Sequence, residues 1–222
     1  MKLLTFYRRR YIIVPTILGM LFILTILGLL LYVFFQNVAT FLAVNEPVGA
    51  EYLVVEGWLG KNELSQAFKA FDKGNYQNII VTGGPTDDEF DQQNLTYAER
   101  AAKYLQSIGL PYGKIEIVSS PYSAQNRTFL SAVLVREWFN SQNIEVRSID
   151  VFSGSVHSRR SRNLYQLAFG DDVNIGVLAS KPNRFDLNLW WQSSHAATLV
   201  LKELIGLMVI KCCFNPDKID PH

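Results

Sequence analysis

Disulfides have no place in this chain. Its 222 residues hold two cysteines, and these are the adjacent pair Cys212 and Cys213. Neighbouring cysteines bridge only through a strained ring, and the pair lacks the gap of a Cys-x-x-Cys metal site. Small buried or membrane-proximal side chains are the plain reading, with lipidation or a redox role as the alternatives. No Gly-x-Gly-x-x-Gly follows an apolar run, which disfavours a dinucleotide, and a Walker A loop is missing too. Nor is there a Gly-x-Ser-x-Gly elbow, which argues against a serine hydrolase. No metal site is expected. The acids Asp87, Asp88, Glu89 and Asp91 fit no calcium-loop spacing and read as a solvated flap within Thr86–Asn94. No cofactor is identified by any motif.

Charge is absent from Ile12 to Phe35, a run of 24 residues. As a helix it would measure roughly 36 Å, enough to cross a hydrocarbon core of ~30 Å. Pro15 falls in the first turn, where proline is tolerated. A cleaved signal peptide is the rival, but its apolar core should be only about 7–15 residues long. Lys2, Arg8, Arg9 and Arg10 precede the run, and the first charge after it is Glu46. This asymmetry predicts a single-pass anchor in the cytoplasmic membrane, with a cytoplasmic basic flank (residues 1–11), a span (12–35) and everything after it on the periplasmic or extracellular side. The lipid bilayer is thus the first expected partner. Beyond the run, 17 basic residues face 20 acidic ones, so bulk electrostatics disfavour nucleic acid.

Beyond the uncharged run the chain alternates between two patterns. Residues 36–50 read as a linker and 51–214 as one domain, with a disordered tail at 215–222. Strands are expected at Glu51–Val55, Asn78–Thr82, Lys114–Val118, Arg147–Phe152 and Val173–Leu178. Helical periodicity lies between them: after Asn62, as a possible cap; after Thr96 and Glu99, as a capping box; over about 124–141; and from His157 to Gly170. A last helix, about His195 to Phe214 with Ser194 as its cap, has its apolar character interrupted by Lys202 and Glu203, and so is not a second span. Strands alternating with helices predict an α/β fold: a five-stranded, mainly parallel sheet covered on both faces. Right-handed crossovers bring the C-terminal strand ends to one edge, where ligands bind.

Four segments should meet at that edge: Glu56-Gly57-Trp58, Gly83-Gly84, 119–126, and 153–160. The last is the most informative. An apolar strand ends at Phe152 and runs into Ser153 and other small residues, and His157, Arg159 and Arg160 open a helix, where free N–H groups and the helix dipole favour anions. Because an unperturbed imidazole titrates near neutrality, His157 suits acid/base work, or is simply a turn histidine. Arg160 and Arg159 can grip phosphate or carboxylate, though helical spacing lets only one of them face the site; Arg162 reads as solvated. Asn126 and Arg127 open the preceding helix, either as a second anion contact or as an ordinary helix start. Glu56 can act as a base opposite His157 or bind a sugar hydroxyl or a cation, and Glu99 is either a catalytic carboxylate or only a cap. Gly57, Gly83 and Gly84 suit close backbone approach. Trp58, Trp190 and Trp191 can stack on a sugar, fill a core or sit at a membrane interface.

Several of these pieces occur together elsewhere. Leu53-Val54-Val55-Glu56-Gly57, Val81-Thr82-Gly83-Gly84, Thr96-Tyr97-Ala98-Glu99-Arg100-Ala101, Ser123-Ala124-Gln125-Asn126-Arg127-Thr128 and His157-Ser158-Arg159-Arg160 come in that order after a basic-flanked apolar run. In this the chain resembles the YdcF/SanA/ElyC family of bacterial envelope proteins, over about Tyr52–Phe214. It departs from the family pattern at Glu56, where glycine is usual, and at Arg127, which separates Asn126 from Thr128. The resemblance implies a Rossmann-like domain and a role in envelope biogenesis, in the assembly of peptidoglycan or exopolysaccharide. Its ligand would be an anionic small molecule or a lipid-linked sugar phosphate. Three functions stay open: an enzyme on such a precursor, a non-catalytic binding module, and a structural partner in a membrane complex.

Overall fold

The computed structural model describes residues 14–86 and 94–216. The chain divides into two compact units, Met1–Asn37 and Val38–His222. The expected basic flank, the acidic residues 87–91 and most of the expected tail lie outside the described residues.

Helix α1 (Ile17–Leu42) supplies the described helical part of the first unit. Thr16 starts it by accepting the Gly19 N–H on its side-chain oxygen at 3.2 Å. Pro15 therefore precedes the helix rather than occupying its first turn, and its missing N–H costs nothing there. Among the described residues α1 is the one helix long and apolar enough to cross a membrane by length and composition.

The second unit is an α/β domain. Its strands are β1 (Tyr52–Glu56), β2 (Asn78–Gly83), β3 (Ile115–Ser119), β4 (Ser148–Ser153) and β5 (Asn174–Ala179). They form one parallel sheet in the order β3-β2-β1-β4-β5. The helices are α2 (Lys61–Lys73), α3 (Tyr97–Ser107), α4 (Arg127–Ser141), α5 (Ser158–Phe169) and α6 (Ser194–Cys212). The strands are apolar on both faces because both are covered. Leu53, Val55, Ile79 and Val81 turn to one side, against Leu64 and Ala67 of α2 and Ala98, Ala101 and Leu105 of α3. Their neighbours Val54 and Ile80, with Val151 and Ile175, turn to the other, against Val135 and Phe139 of α4 and Leu164 and Tyr165 of α5. This is the alternation that a two-residue strand repeat imposes.

Two helix starts differ from the sequence reading by a residue or two. α2 is capped at Gly60, whose N–H donates to Glu63 Oε2 at 2.9 Å, not at Asn62. Ser193 rather than Ser194 caps α6. The Thr96–Glu99 capping box at the head of α3 is present as expected.

The expected linker is the larger correction. Residues 36–42 continue α1, and Val38, Ala39 and Leu42 are buried against Trp190, Ala196, Val200 and Leu207. The residues after them are held to the sheet. Glu46 bridges Val177 in antiparallel fashion. The Asp150 carboxylate, fully buried in the middle of β4, accepts the Val48 N–H at 2.8 Å and the Ala50 N–H at 3.1 Å, and the Tyr76 hydroxyl at 3.0 Å. Burial and the adjacent carboxylate drive the Tyr76 phenol well above its usual range. Asparagine, proline and glycine made this stretch look free. Its backbone is nevertheless tied down, by Val177 at Glu46 and by Asp150 at Val48 and Ala50.

Candidate functional site

The strand order places β1 at the centre. The chain runs outward from β1 to β2 and β3, then returns to β4 on the other side of β1. The crevice beyond the C-terminal ends of β1 and β4 is therefore the topological switch point, the usual ligand position in open parallel sheets. A cavity of ≈ 1160 Å³ opens there, bounded by the ends of β1 and β2, the turn after β4, the N-terminus of α4, the loop around Pro182–Phe185 and one side of α6.

Glu56 ends β1 and is buried. Its carboxylate is not bare: Ser153 Oγ donates to Oε2 and Ser161 Oγ to Oε1, each at 2.7 Å. Two short hydroxyl bonds replace the water that burial removed. Ser153 thus stands behind the cavity as a support for Glu56.

The chain leaves β4 through Gly154 and a short 3-10 turn, Ser155–His157, before α5 begins. Ser155 takes a positive φ of 22°. Gly154 lets the Trp58 ring lie close, since a Cβ there would sit 2.8 Å from it. This turn delivers His157, 7 % exposed, to the crevice. Its Nδ1 lies 2.9 Å from Glu203 Oε2, and its Nε2 lies 3.9 Å from Glu56 Oε1 and 3.5 Å from Thr128 Oγ1. Trp58 meets the imidazole edge to face at 5.2 Å. Nearly half of Trp58 remains exposed at the cavity rim.

Arg160 follows His157 by three residues and so shares its helix face. Its Nε donates to Glu203 Oε2 at 2.6 Å and its Nη2 to Oε1 at 3.2 Å, a forked pair on a buried carboxylate. Gly206, three residues after Glu203, makes room for the arginine stem, since a Cβ there would meet Arg160 Cδ at 3.0 Å. Burial pushes the Glu203 carboxyl up, but the hydrogen bonds and charges of His157 and Arg160 outweigh it and hold the pKa at about 2. Glu203 is therefore an acceptor near neutrality. The bond to His157 needs the proton on Nδ1, which leaves the Nε2 lone pair facing Thr128 and Glu56. Arg160 Nη2 also lies 2.9 Å from Nδ1. With both nitrogens donating to the same carboxylate, that approach is a contact rather than a bond.

The N-terminus of α4 forms another wall. Asn126, in the left-handed region at φ 54°, is its N-cap and makes no side-chain capping bond. Arg127 lines the cavity, with its Nε on the Ser123 carbonyl at 3.0 Å. Two buried hydroxyls in the lining, Thr82 Oγ1 and Ser155 Oγ, have no hydrogen-bond partner. Five basic side chains, Lys61, Arg127, Arg160, Arg184 and Lys202, share the lining with Glu56, Glu63 and Glu203. The balance favours an anion.

The crevice thus gathers Glu56, Trp58, Gly83, Gly84, Asn126, Arg127, His157 and Arg160. Four expected site residues are placed elsewhere, Ser153 behind Glu56 being the first. Glu99 does not line the cavity; its carboxylate accepts the Thr96 N–H at 2.7 Å, which lowers its pKa, and its role is the cap. Arg159 turns away, its Nε donating to the Phe41 carbonyl and its guanidinium lying 3.9 Å from the Phe41 ring centre. Gly57 serves the chain itself: a Cβ there would sit 2.6 Å from the Tyr97 carbonyl oxygen, so β1 and the start of α3 can approach only through glycine. Gly83 meets Tyr97 in the same way, with φ at 156°, and Gly84 faces Ser120. Arg162 pairs with Glu46 at 2.6 Å, away from the cavity.

Glu203 escaped the sequence reading as a site residue. Its signal was present: it is the single carboxylate of a largely apolar helix. Among the described residues no group of three or more His, Cys, Asp or Glu side chains is arranged to hold a metal. Compared with models of known protein families and with curated proteins, the chain matches none.

Proposed function

We propose that this chain is a membrane-anchored protein of the cell envelope whose domain works outside the cytoplasmic membrane, as an enzyme on a phosphorylated or lipid-linked envelope precursor. The observation that carries this reading is the Glu203–His157 pair at 2.9 Å, set at the switch point of the sheet. A buried, ionised carboxylate holding Nδ1–H orients an imidazole and stabilises the imidazolium that forms when Nε2 takes a proton. Arg160 balances Glu203 and keeps Nη1 for a ligand. The first N–H groups of α4, with Arg127, suit the phosphate of such a precursor. Glu56 Oε1, 3.9 Å from Nε2, faces the same side of the ring as the cavity. α1 supports the anchor, and the uncharged run behind a basic flank supports the orientation.

The test is a strain lacking the native protein, given the wild type, His157→Ala or Arg160→Ala, with folding of each variant checked by circular dichroism. Loss of envelope function in both is expected. If both folded variants restore function, the site reading is overturned. If only Arg160→Ala fails, the cleft binds without catalysing. Titration calorimetry with sugar phosphates and polyprenyl phosphate analogues then reads the ligand class.

A further inference from the structure

The last helix carries an unexplained surface. On one side α6 buries Ala196, Val200, Glu203 and Leu207. Its other side exposes Leu201, Ile205, Met208 and Val209, each about half accessible. The spacing of four, three and one makes this a continuous stripe. A helix apolar all round is ordinarily covered all round. This one is covered on one side, and the uncovered side is large and apolar.

We propose that the exposed side of α6 rests on the lipid bilayer. The proposal rests on the reading that α1 crosses that bilayer. Three observations select lipid over another occupant. The buried side of α6 packs against Val38, Ala39 and Leu42, the residues that continue directly from the apolar run, so the stripe belongs to the part of the domain that joins the anchor in the chain. The charges exposed on α6 are Lys202 and Lys211, both basic, as anionic headgroups require. Trp191 and Leu189, in the 3-10 helix Leu187–Gln192 that precedes α6, are also partly exposed, and tryptophan favours the headgroup level. Val209 belongs both to the stripe and to the cavity lining, so the mouth of the cleft opens where the lipid surface would lie.

The experiment uses the full chain with Cys212 and Cys213 changed to serine. One cysteine is then introduced as Leu201→Cys, Ile205→Cys, Leu27→Cys in α1 or Lys69→Cys on the exposed side of α2, labelled with an environment-sensitive nitrobenzoxadiazole dye. The protein is reconstituted in vesicles of phosphatidylethanolamine and phosphatidylglycerol. An interfacial helix buries its apolar face by about 5–10 Å, within reach of a doxyl group placed high on a lipid chain. Positions 201 and 205 should be quenched by the doxyl lipid, and severalfold less by aqueous iodide than position 69. If they behave like position 69 while position 27 is quenched by lipid, the docking is overturned and the anchor stands. If position 27 is also aqueous, the anchor reading fails and the docking with it. If protection from iodide disappears as the protein is diluted in lipid, a second copy covers the stripe and the proposal is overturned.

Discussion

Changing Glu203 to glutamine removes one charge and almost no volume, so its effect isolates the electrostatics of the site. In the folded protein the carboxylate accepts from Arg160 Nε at 2.6 Å, Arg160 Nη2 at 3.2 Å and His157 Nδ1 at 2.9 Å. Its pKa falls from 4.5 to about 2 on folding. At about 1.4 kcal/mol per unit this corresponds to about 3 kcal/mol of stability. Leaving the part-buried Arg160 without its counter-charge points to a loss of the same order, about 3 kcal/mol, the low end for breaking a buried pair. Because the folded pKa is depressed, the contribution is fully present above the unfolded pKa of 4.5 and is lost as pH falls toward about 2. Urea unfolding of the full chain in detergent, followed by far-ultraviolet circular dichroism, measures it. The wild type should exceed Glu203→Gln by about 3 kcal/mol at pH 7, and the gap should close between roughly pH 5 and pH 2. A gap under about 1 kcal/mol at pH 7, or one that does not change with pH, refutes the assignment of Glu203 as an ionised partner of both basic groups.

Other substitutions probe the supports of the site. Gly57→Ala should cost about 1–3 kcal/mol, because the new methyl meets the Tyr97 backbone rather than a side chain that can move. Asp150→Asn should cost about 2 kcal/mol or more in the same urea assay, since an amide NH2 would face the donors of Val48, Ala50 and Tyr76. Replacing both Ser153 and Ser161 with alanine should leave the Glu56 carboxylate buried without donors and cost about 2–4 kcal/mol, with much of the loss recovered in the triple variant that adds Glu56→Gln. Arg159→Ala should leave ligand binding in the cleft unchanged in calorimetry, because its contacts are with Phe41.

The fold was legible where one local rule acts alone. The alternation of apolar strands with helical periods gave the parallel sheet, and Thr96 with Glu99 gave the head of α3, because each signal is complete within a few residues. The edge that carries the site followed from handedness rather than from side chains. The site itself was half legible. His157 and Arg160 share a helix face at a spacing of three, while Arg159 turns away from it, so helical geometry separates the two arginines. Glu203 is 46 residues from His157, and only packing of α6 beside the β4–α5 turn brings them together. Glu99 misled because the carboxylate that caps a helix looks, in sequence, like one that does chemistry. Residues 36–50 misled for the opposite reason. Their composition reads as loose, yet Asp150, which holds them, lies a hundred residues on, inside a strand.

The fixing of residues 38–50 settles where the folding unit begins. Val38–Leu42 pack under α6, Glu46 bridges Val177, and the Val48 and Ala50 amides are held by Asp150. A shortened chain that started at Glu51 would uncover the apolar side of α6 and leave the buried Asp150 carboxylate with the Tyr76 hydroxyl as its remaining donor among these three. Thirteen residues that look like a tether are therefore a part of the core that the sheet cannot do without.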